Sequence, residues 1–265
     1  MIARLIGGLL VAAGVAWLAA RRGQLTASGT GAAVVVGTFA VAAGWAWGLL
    51  LIGYFIASSA LTSLGRRRKA ERTTDTLPPS HQRTARQVIA NGGLFAACAL
   101  VGTMSHSPML HLAAAGALAA AAADTWATEV GTLWGGAPRS VLTWRTVSPG
   151  LSGGVTPAGL AASAVAGLAV AATTPWILPW PDLRGVVPVV ALAGLSGSVA
   201  DSLLGAAVQA RHRCDRCGRL TERPDHCGIP TRHAAGWRWM TNDAVNLLAT
   251  AVGALVAAAL APMMP

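Results

Sequence analysis

Charge is scarce in this chain. Only 11% of its 265 residues are Asp, Glu, Lys or Arg, and 54% are hydrophobic, which excludes a soluble globular composition. Acid is scarcer still, with ten Asp and Glu against twenty Lys and Arg. The net charge of +10 would fit a nucleic-acid binder, but nearly all the arginine lies in short loops between apolar runs. No nucleic acid is therefore expected as a partner. A cleavable signal peptide is not expected either. The first apolar run has no clear small-residue cleavage site and is followed by Arg21 and Arg22, so it reads as a retained helix. Cysteines number four. Cys98 stands alone in an apolar run, where packing is its expected role, and the other three share one polar loop.

What the chain has is repeated apolar runs long enough for a helix to cross a bilayer. The pattern predicts an all-α, polytopic transmembrane bundle forming one integral membrane domain over 1–265. Eight helices are placed at roughly 2–20, 29–44, 46–64, 88–103, 108–130, 154–174, 185–209 and 240–262. The stretch from Gly29 to Leu64 is too long for one span and is split near Gly44–Gly48. Ala and Gly dominate the spans, as expected where helix backbones pack closely in lipid. Trp45, Trp47, Trp176 and Trp180 fall at helix ends, where interfacial aromatics sit.

Eight spans put alternate loops on one side. Loops 21–28, 65–87, 131–153 and 210–239 hold 2, 7, 2 and 7 Lys or Arg, which is 18 of the 20. Only Arg4 and Arg184 fall on the other side. The positive-inside rule assigns these loops to the cytoplasm and both termini to the outside, of the plasma membrane if the cell is prokaryotic.

Four carboxylates then come to a shared depth: Asp124 and Glu129 in AAADTWATEVG, Asp201 in GSVADSLLGAAVQ and Asp243 in TNDAVN. A charge in lipid costs at least ~2.5–3.5 kcal/mol, so such residues face a protein interior or a watery cavity. The expectation is one cytoplasm-facing cavity lined by all four, with Asn91 and Asn246 beside them. Asp124 and Thr128 share a helix face, whereas Asp124 and Glu129 lie about 140° apart on an ideal helix. Asp124 and Asp201 are the leading Mg²⁺ ligands, Mg²⁺ being the usual carrier of substrate phosphates. Glu129 and Asp243 are further ligands or orienters. Gly197, Asp201 and Gly205 share a face flanked by Ser198 and Ser202; the glycines also fit a small-residue packing face. Ala123-Asp124-Thr125 and Ala200-Asp201-Ser202 match one another, a hint of internal duplication. Asn242, Asp243 and Asn246 open the last helix, where Asp is also ordinary capping chemistry.

Phosphate contacts have three sources. Arg86 opens the fourth helix beside Gln87 and Asn91. Ser152, Gly153 and Gly154 form a glycine-rich turn before a helix start capped by Thr156 and Pro157, an arrangement that offers N–H groups to an anion. No Gly-Lys-Ser/Thr follows, so it is not a Walker loop. Ser202, Gln209 and Thr128 complete the candidate set. Arg66, Arg67, Arg68 and Lys69 read as topology determinants and head-group contacts. Loop 210–239 reads HRCDRCGRLTERPDHCGIPTRH, with Cys214 and Cys217 as CxxC, then His226 and Cys227. Two thiolates with a nearby His and Cys suit a tetrahedral structural Zn²⁺, and a cytoplasmic loop disfavours a disulfide. The knuckle would brace the last two helices.

Six motifs together resemble the phytyl-phosphate kinase family of the vitamin E pathway. They are RQVIANG, ADTWATEVG, SPGLSGGVT, GSVADSLLGAAVQ, the CDRC…HCG loop and TNDAVN. The resemblance runs from residue 86 onward and implies phosphoryl transfer from a nucleoside triphosphate, CTP or ATP, to an isoprenoid monophosphate. Two rivals use the same residues. One is nucleotidyl transfer to a lipid phosphate, marked by diphosphate release. The other is a secondary transporter, but its sites lie at midplane whereas these acids gather toward one face.

Overall fold

The computed structural model describes residues 2–77, 82–177 and 183–263. Among these the chain forms nine α-helices: α1 (Ile2–Arg21), α2 (Ala27–Ala43), α3 (Trp45–Ser63), α4 (Arg66–Thr73), α5 (Ala85–Ser105), α6 (Pro108–Trp134), α7 (Pro157–Thr173), α8 (Leu183–Ala207) and α9 (Asn242–Leu260). All eight predicted helices are present, and α4 is additional. Caps define the starts. Thr26, Thr84, Ser107, Thr156 and Thr241 each accept a backbone N–H of the first turn. At α5 the cap is reciprocal, since the Gln87 side chain also accepts the Thr84 N–H at 3.0 Å. This starts α5 three residues before its apolar run suggests.

Among the described residues, six segments are long and apolar enough to cross a membrane: α1, α3, α5, Pro157–Trp176, Gly185–Ala207 and α9. Their outer faces carry large apolar side chains such as Leu10, Ile56, Leu168 and Leu255, which is the surface lipid requires. The centre is α6. It is 27 residues long, and every residue from Leu112 to Ala123 is buried. It packs against α5, α7, α8 and α9. Small residues allow this. A Cβ on Gly116 would lie 2.4 Å from the Gly253 carbonyl oxygen of α9, so the two backbones touch.

Trp45 and Trp176 are exposed, as interfacial aromatics should be. Trp47 is not. It is buried, edge-on to Phe95 at 5.8 Å and tilted over His111 at 5.6 Å. A tryptophan at a helix start becomes core when another helix covers that end. Trp180 lies outside the described residues.

The four arginine-rich loops meet at one end. The Arg83 N–H donates to the Gln24 carbonyl at 2.9 Å, and Arg72 binds the Leu133 and Gly136 carbonyls. Thr76 donates to the Pro149 carbonyl at 2.6 Å, and Ser152 to Glu222 at 2.8 Å. Arg4 lies at the opposite end, donating to Ala43. Between the helices at the arginine-rich end lie, among the described residues, seven short strands: β1 (Arg139–Ser140), β2 (Gly154–Val155), β3 (Arg211–Arg213), β4 (Leu220–Thr221), β5 (Asp225–His226), β6 (Ile229–Pro230) and β7 (Arg232–Ala235). Strand β1 pairs with β2, β5 with β6, and β3 sits between β4 and β7.

Helix α4 corrects the reading of its basic run. Lys69 is buried, and its ammonium donates to the carbonyls of Leu61 and Thr62 at 2.7 and 2.8 Å and to Glu129 Oε2 at 2.5 Å. It therefore satisfies the C-terminal carbonyls of α3 while pairing with α6. Breaking such a pair from one side leaves an uncompensated buried charge. Lys69→Met is expected to destabilise the protein by about 3–5 kcal/mol. Thermal unfolding in detergent checks this, and the Lys69→Met, Glu129→Gln double variant should recover much of the loss.

Candidate functional site

The site begins with a helix contact. Gly197 of α8 meets α6 so closely that a Cβ would lie 2.3 Å from the Ala120 Cβ and 2.8 Å from the Ala249 carbonyl oxygen of α9. One turn further along α6 comes Asp124, and one turn further along α8 comes Asp201. The close approach brings these carboxyls side by side, within hydrogen-bond reach of each other. Helix α9 adds the third group. With its amide turned so that the nitrogen meets these two acceptors, Asn246 donates to Asp201 Oδ1 at 3.0 Å and to the Asn242 carbonyl at 3.2 Å. Two adjacent carboxylates repel when ionised, and a bound cation relieves that repulsion.

The other predicted residues divide into separate groups rather than one cavity wall. Asp243 lies in the first turn of α9, half-buried and within the field of Arg86 from the start of α5. Thr128 is exposed, and Ser202 is half-buried beside Asp201. Glu129 does not join the pair. Both its oxygens are engaged, by Thr62 at 2.6 Å and by Lys69. The five-residue spacing from Asp124 turns it to α3 and α4. Gln87 and Asn91 line a different cavity, formed by α1, α2, α3 and α5.

The glycine-rich turn does meet an anion, and the anion is the chain's own. The Ser152 N–H donates to Glu222 Oε1 at 2.8 Å, and Gln209 Nε2 donates to Oε2 at 2.9 Å. The Gly154 N–H is spent within the turn on Leu151. Gly153 has φ +81°, and a Cβ there would lie 2.4 Å from that of Ala206, so this turn is pressed onto the end of α8. Arg211 donates to the Ser152, Gly205 and Ala206 carbonyls and caps that end. The structure therefore corrects the phosphate reading of Ser152 and Gln209: both are committed to Glu222.

Glu222 neighbours Asp201 and was not legible in the sequence. Burial pushes its carboxyl above the usual range, opposed by the bonds from Ser152 and Gln209 and by the charge of Arg211. A lone Glu in an arginine-rich loop carries no local sign of burial. Glu222→Ala should strand the Ser152 N–H and the Gln209 amide and cost about 1–3 kcal/mol. Glu222→Gln retains an acceptor and should cost less in the same melting measurement.

The cysteines form the second centre. Sγ of Cys214, Cys217 and Cys227 and a ring nitrogen of His226 all lie within 4.8 Å of one another. His226 Nδ1 sits 3.4 Å from Cys217 Sγ and 3.2 Å from Cys227 Sγ, while Nε2 faces Asp75 Oδ1 at 3.2 Å. One ring nitrogen thus faces the thiols and the other is oriented by a carboxylate, as in metal-binding histidines. Burial works to raise the Cys214 thiol, but its bonds with His226 and the 216–217 turn outweigh that and bring it down to about 6. A thiol ionised near neutral pH is the form a soft metal binds. The knuckle also grips the 74–76 segment. Arg219 pairs with Asp75, and Arg223 donates to the Thr74 carbonyl at 2.6 Å. Glu222 N–H donates to the Thr76 carbonyl at 3.0 Å. The bracing thus runs through Glu222 toward Asp201.

Comparison with known proteins places the chain. It is 32% identical to Protein PGR of Arabidopsis thaliana, over 92% of each chain. It is 29% identical to an uncharacterized membrane protein of Synechocystis, over 88% of this chain and 81% of the other. With Protein VTE6, chloroplastic, of Arabidopsis thaliana the identity is 24%, over 88% of this chain and 64% of the other. No solved structure matches. The family model described as Integral membrane protein DUF92 matches residues 10–254, and the chain belongs to that family.

Proposed function

We propose that this protein is a membrane-embedded kinase that transfers a phosphoryl group from CTP or ATP to an isoprenoid monophosphate. The observation that carries the reading is the facing pair Asp124 and Asp201, joined by Asn246 inside a lipid-embedded bundle. Intramembrane acids mark function by default. The motif resemblance to phytyl-phosphate kinases supplies the acceptor. The gathering of the arginine-rich loops at one end supports a cytoplasmic face there, where a soluble nucleotide meets a lipid phosphate.

The two carboxyls are hard oxygen donors, of the kind Mg²⁺ takes alongside substrate phosphates, and the Asn246 amide orients Asp201. When bound, Mg²⁺ would neutralise phosphate charge. The protein's own task is to align two phosphates and exclude water. Arg86, beside Asp243, is one phosphate contact at this end of the bundle. The acceptor phosphate is already ionised near neutral pH, so no dedicated base is required. Cys214, Cys217, His226 and Cys227 would hold a structural Zn²⁺.

Purified protein in nanodiscs, given γ-labelled CTP or ATP, Mg²⁺ and a panel of prenyl monophosphates, should yield labelled prenyl diphosphate. No labelled product with any pairing rejects the kinase. Release of inorganic diphosphate instead would identify nucleotidyl transfer.

A further inference from the structure

Two cavities outside the acidic pair share one residue. The larger, about 90 Å³, lies between α1, α2, α3 and α5, and its walls are mostly apolar side chains such as Val15, Val36, Leu51 and Phe55. From Val11 to Ala19 it follows α1 for about 12 Å at 1.5 Å per residue. Polar groups occupy only its loop end, as Arg83, Gln87 and Asn91. The second, about 50 Å³, is polar and lined by Arg22, Arg66 and Arg83 with Ser59, Thr62 and Ser63. Arg83 borders both.

Three arginines converge there without an acid. Among the described residues none of the three guanidiniums has a carboxylate partner. Arg83 instead lies over the Phe55 ring at 5.4 Å, joining the apolar wall to the basic one. Thr62 also donates to Glu129, which puts the basic pocket against α6 just beyond Asp124.

We propose that these two adjoining cavities bind the isoprenoid monophosphate, with its tail between α1, α2, α3 and α5 and its phosphate among Arg22, Arg66 and Arg83. The identity of the ligand rests on the kinase reading. A narrow apolar cavity with one cationic mouth matches a single-chain amphiphile. A two-chain phospholipid would leave one chain outside.

The test is binding without nucleotide or metal. Geranylgeranyl monophosphate is titrated onto the full protein in phosphatidylcholine nanodiscs. Saturable binding is expected, weakened about tenfold or more by Arg22→Gln with Arg83→Gln, because charge-assisted bonds to phosphate are lost. Ala33→Phe, which fills the cavity from α2, should weaken it similarly. Arg22 is exposed and unpaired, so its replacement leaves the fold intact. Inorganic phosphate and phosphatidic acid should fail to compete. Unchanged binding in both variants overturns the proposal, as does phosphatidic acid competing equally. Binding at this site without turnover rejects the kinase and keeps the site. Turnover with an unchanged KM in the cavity variants keeps the kinase and rejects the site.

Discussion

Replacing Asp124 or Asp201 by Asn is expected to lower phosphoryl transfer by roughly 10²–10³-fold or more, the scale at which single electrostatic groups matter in active sites. Asn matches Asp in size and removes only the charge. The contact of Gly197 with Ala120 that brings α6 and α8 together is untouched by either change. Membrane insertion, melting temperature and metal content of the cysteine knuckle should therefore persist. Single-turnover assays with labelled nucleotide and prenyl monophosphate measure the loss. The doubly substituted protein should fall little further, because in the proposed mechanism the two carboxyls serve one cation. Full activity in that double variant would sink the mechanism. Asn246→Ala should cost less, since it removes an amide that positions Asp201 rather than a charge.

The knuckle gives the second large effect. Freshly purified, reduced protein should carry one zinc per chain. Cys214→Ser should abolish it, since the buried Cys214 sulfur is the donor whose ionisation the fold favours most. Structural zinc binds with an apparent ~10–16 kcal/mol in small peptides, and that energy becomes folding energy. The variant should lose order in loop 210–239, with proteolysis there before the helices melt. Activity should fall with it, although no knuckle residue touches the acidic pair, because Glu222 is held by the same loop. Elemental analysis finding no metal in reduced wild-type protein would reject the centre.

The helices could be read from the chain because length and apolar content are local properties. The runs ending near Arg21, Leu64 and Gln209 needed no partner to be recognised. The meeting of Asp124 and Asp201 was legible by depth, since both sit late in parallel helices. Other residues depended on what packs over them. Lys69 resembles its arginine neighbours in sequence but is covered by α3 and α6. Glu129 follows Asp124 by five residues, too far round the helix to share its face. Glu222 gains its neighbours only when residues 76, 152 and 209 converge. Trp47 has the position of an interfacial residue and the surroundings of a core one. The cavity of α1, α2, α3 and α5 left no trace beyond small residues, because empty space belongs to no residue.

The place of Asn246 on the last helix has a consequence for biogenesis. During synthesis α6 and α8 enter the bilayer before α9 exists, so Asp201 reaches lipid depth without the amide that later binds it. The half-made protein therefore holds two adjoining acids that lipid penalises. Arrival of α9 ends that condition, and its Ala249 carbonyl closes over Gly197 in the same step. A chain truncated before α9 should be a substrate for membrane quality control, whereas one completed and closed should escape it.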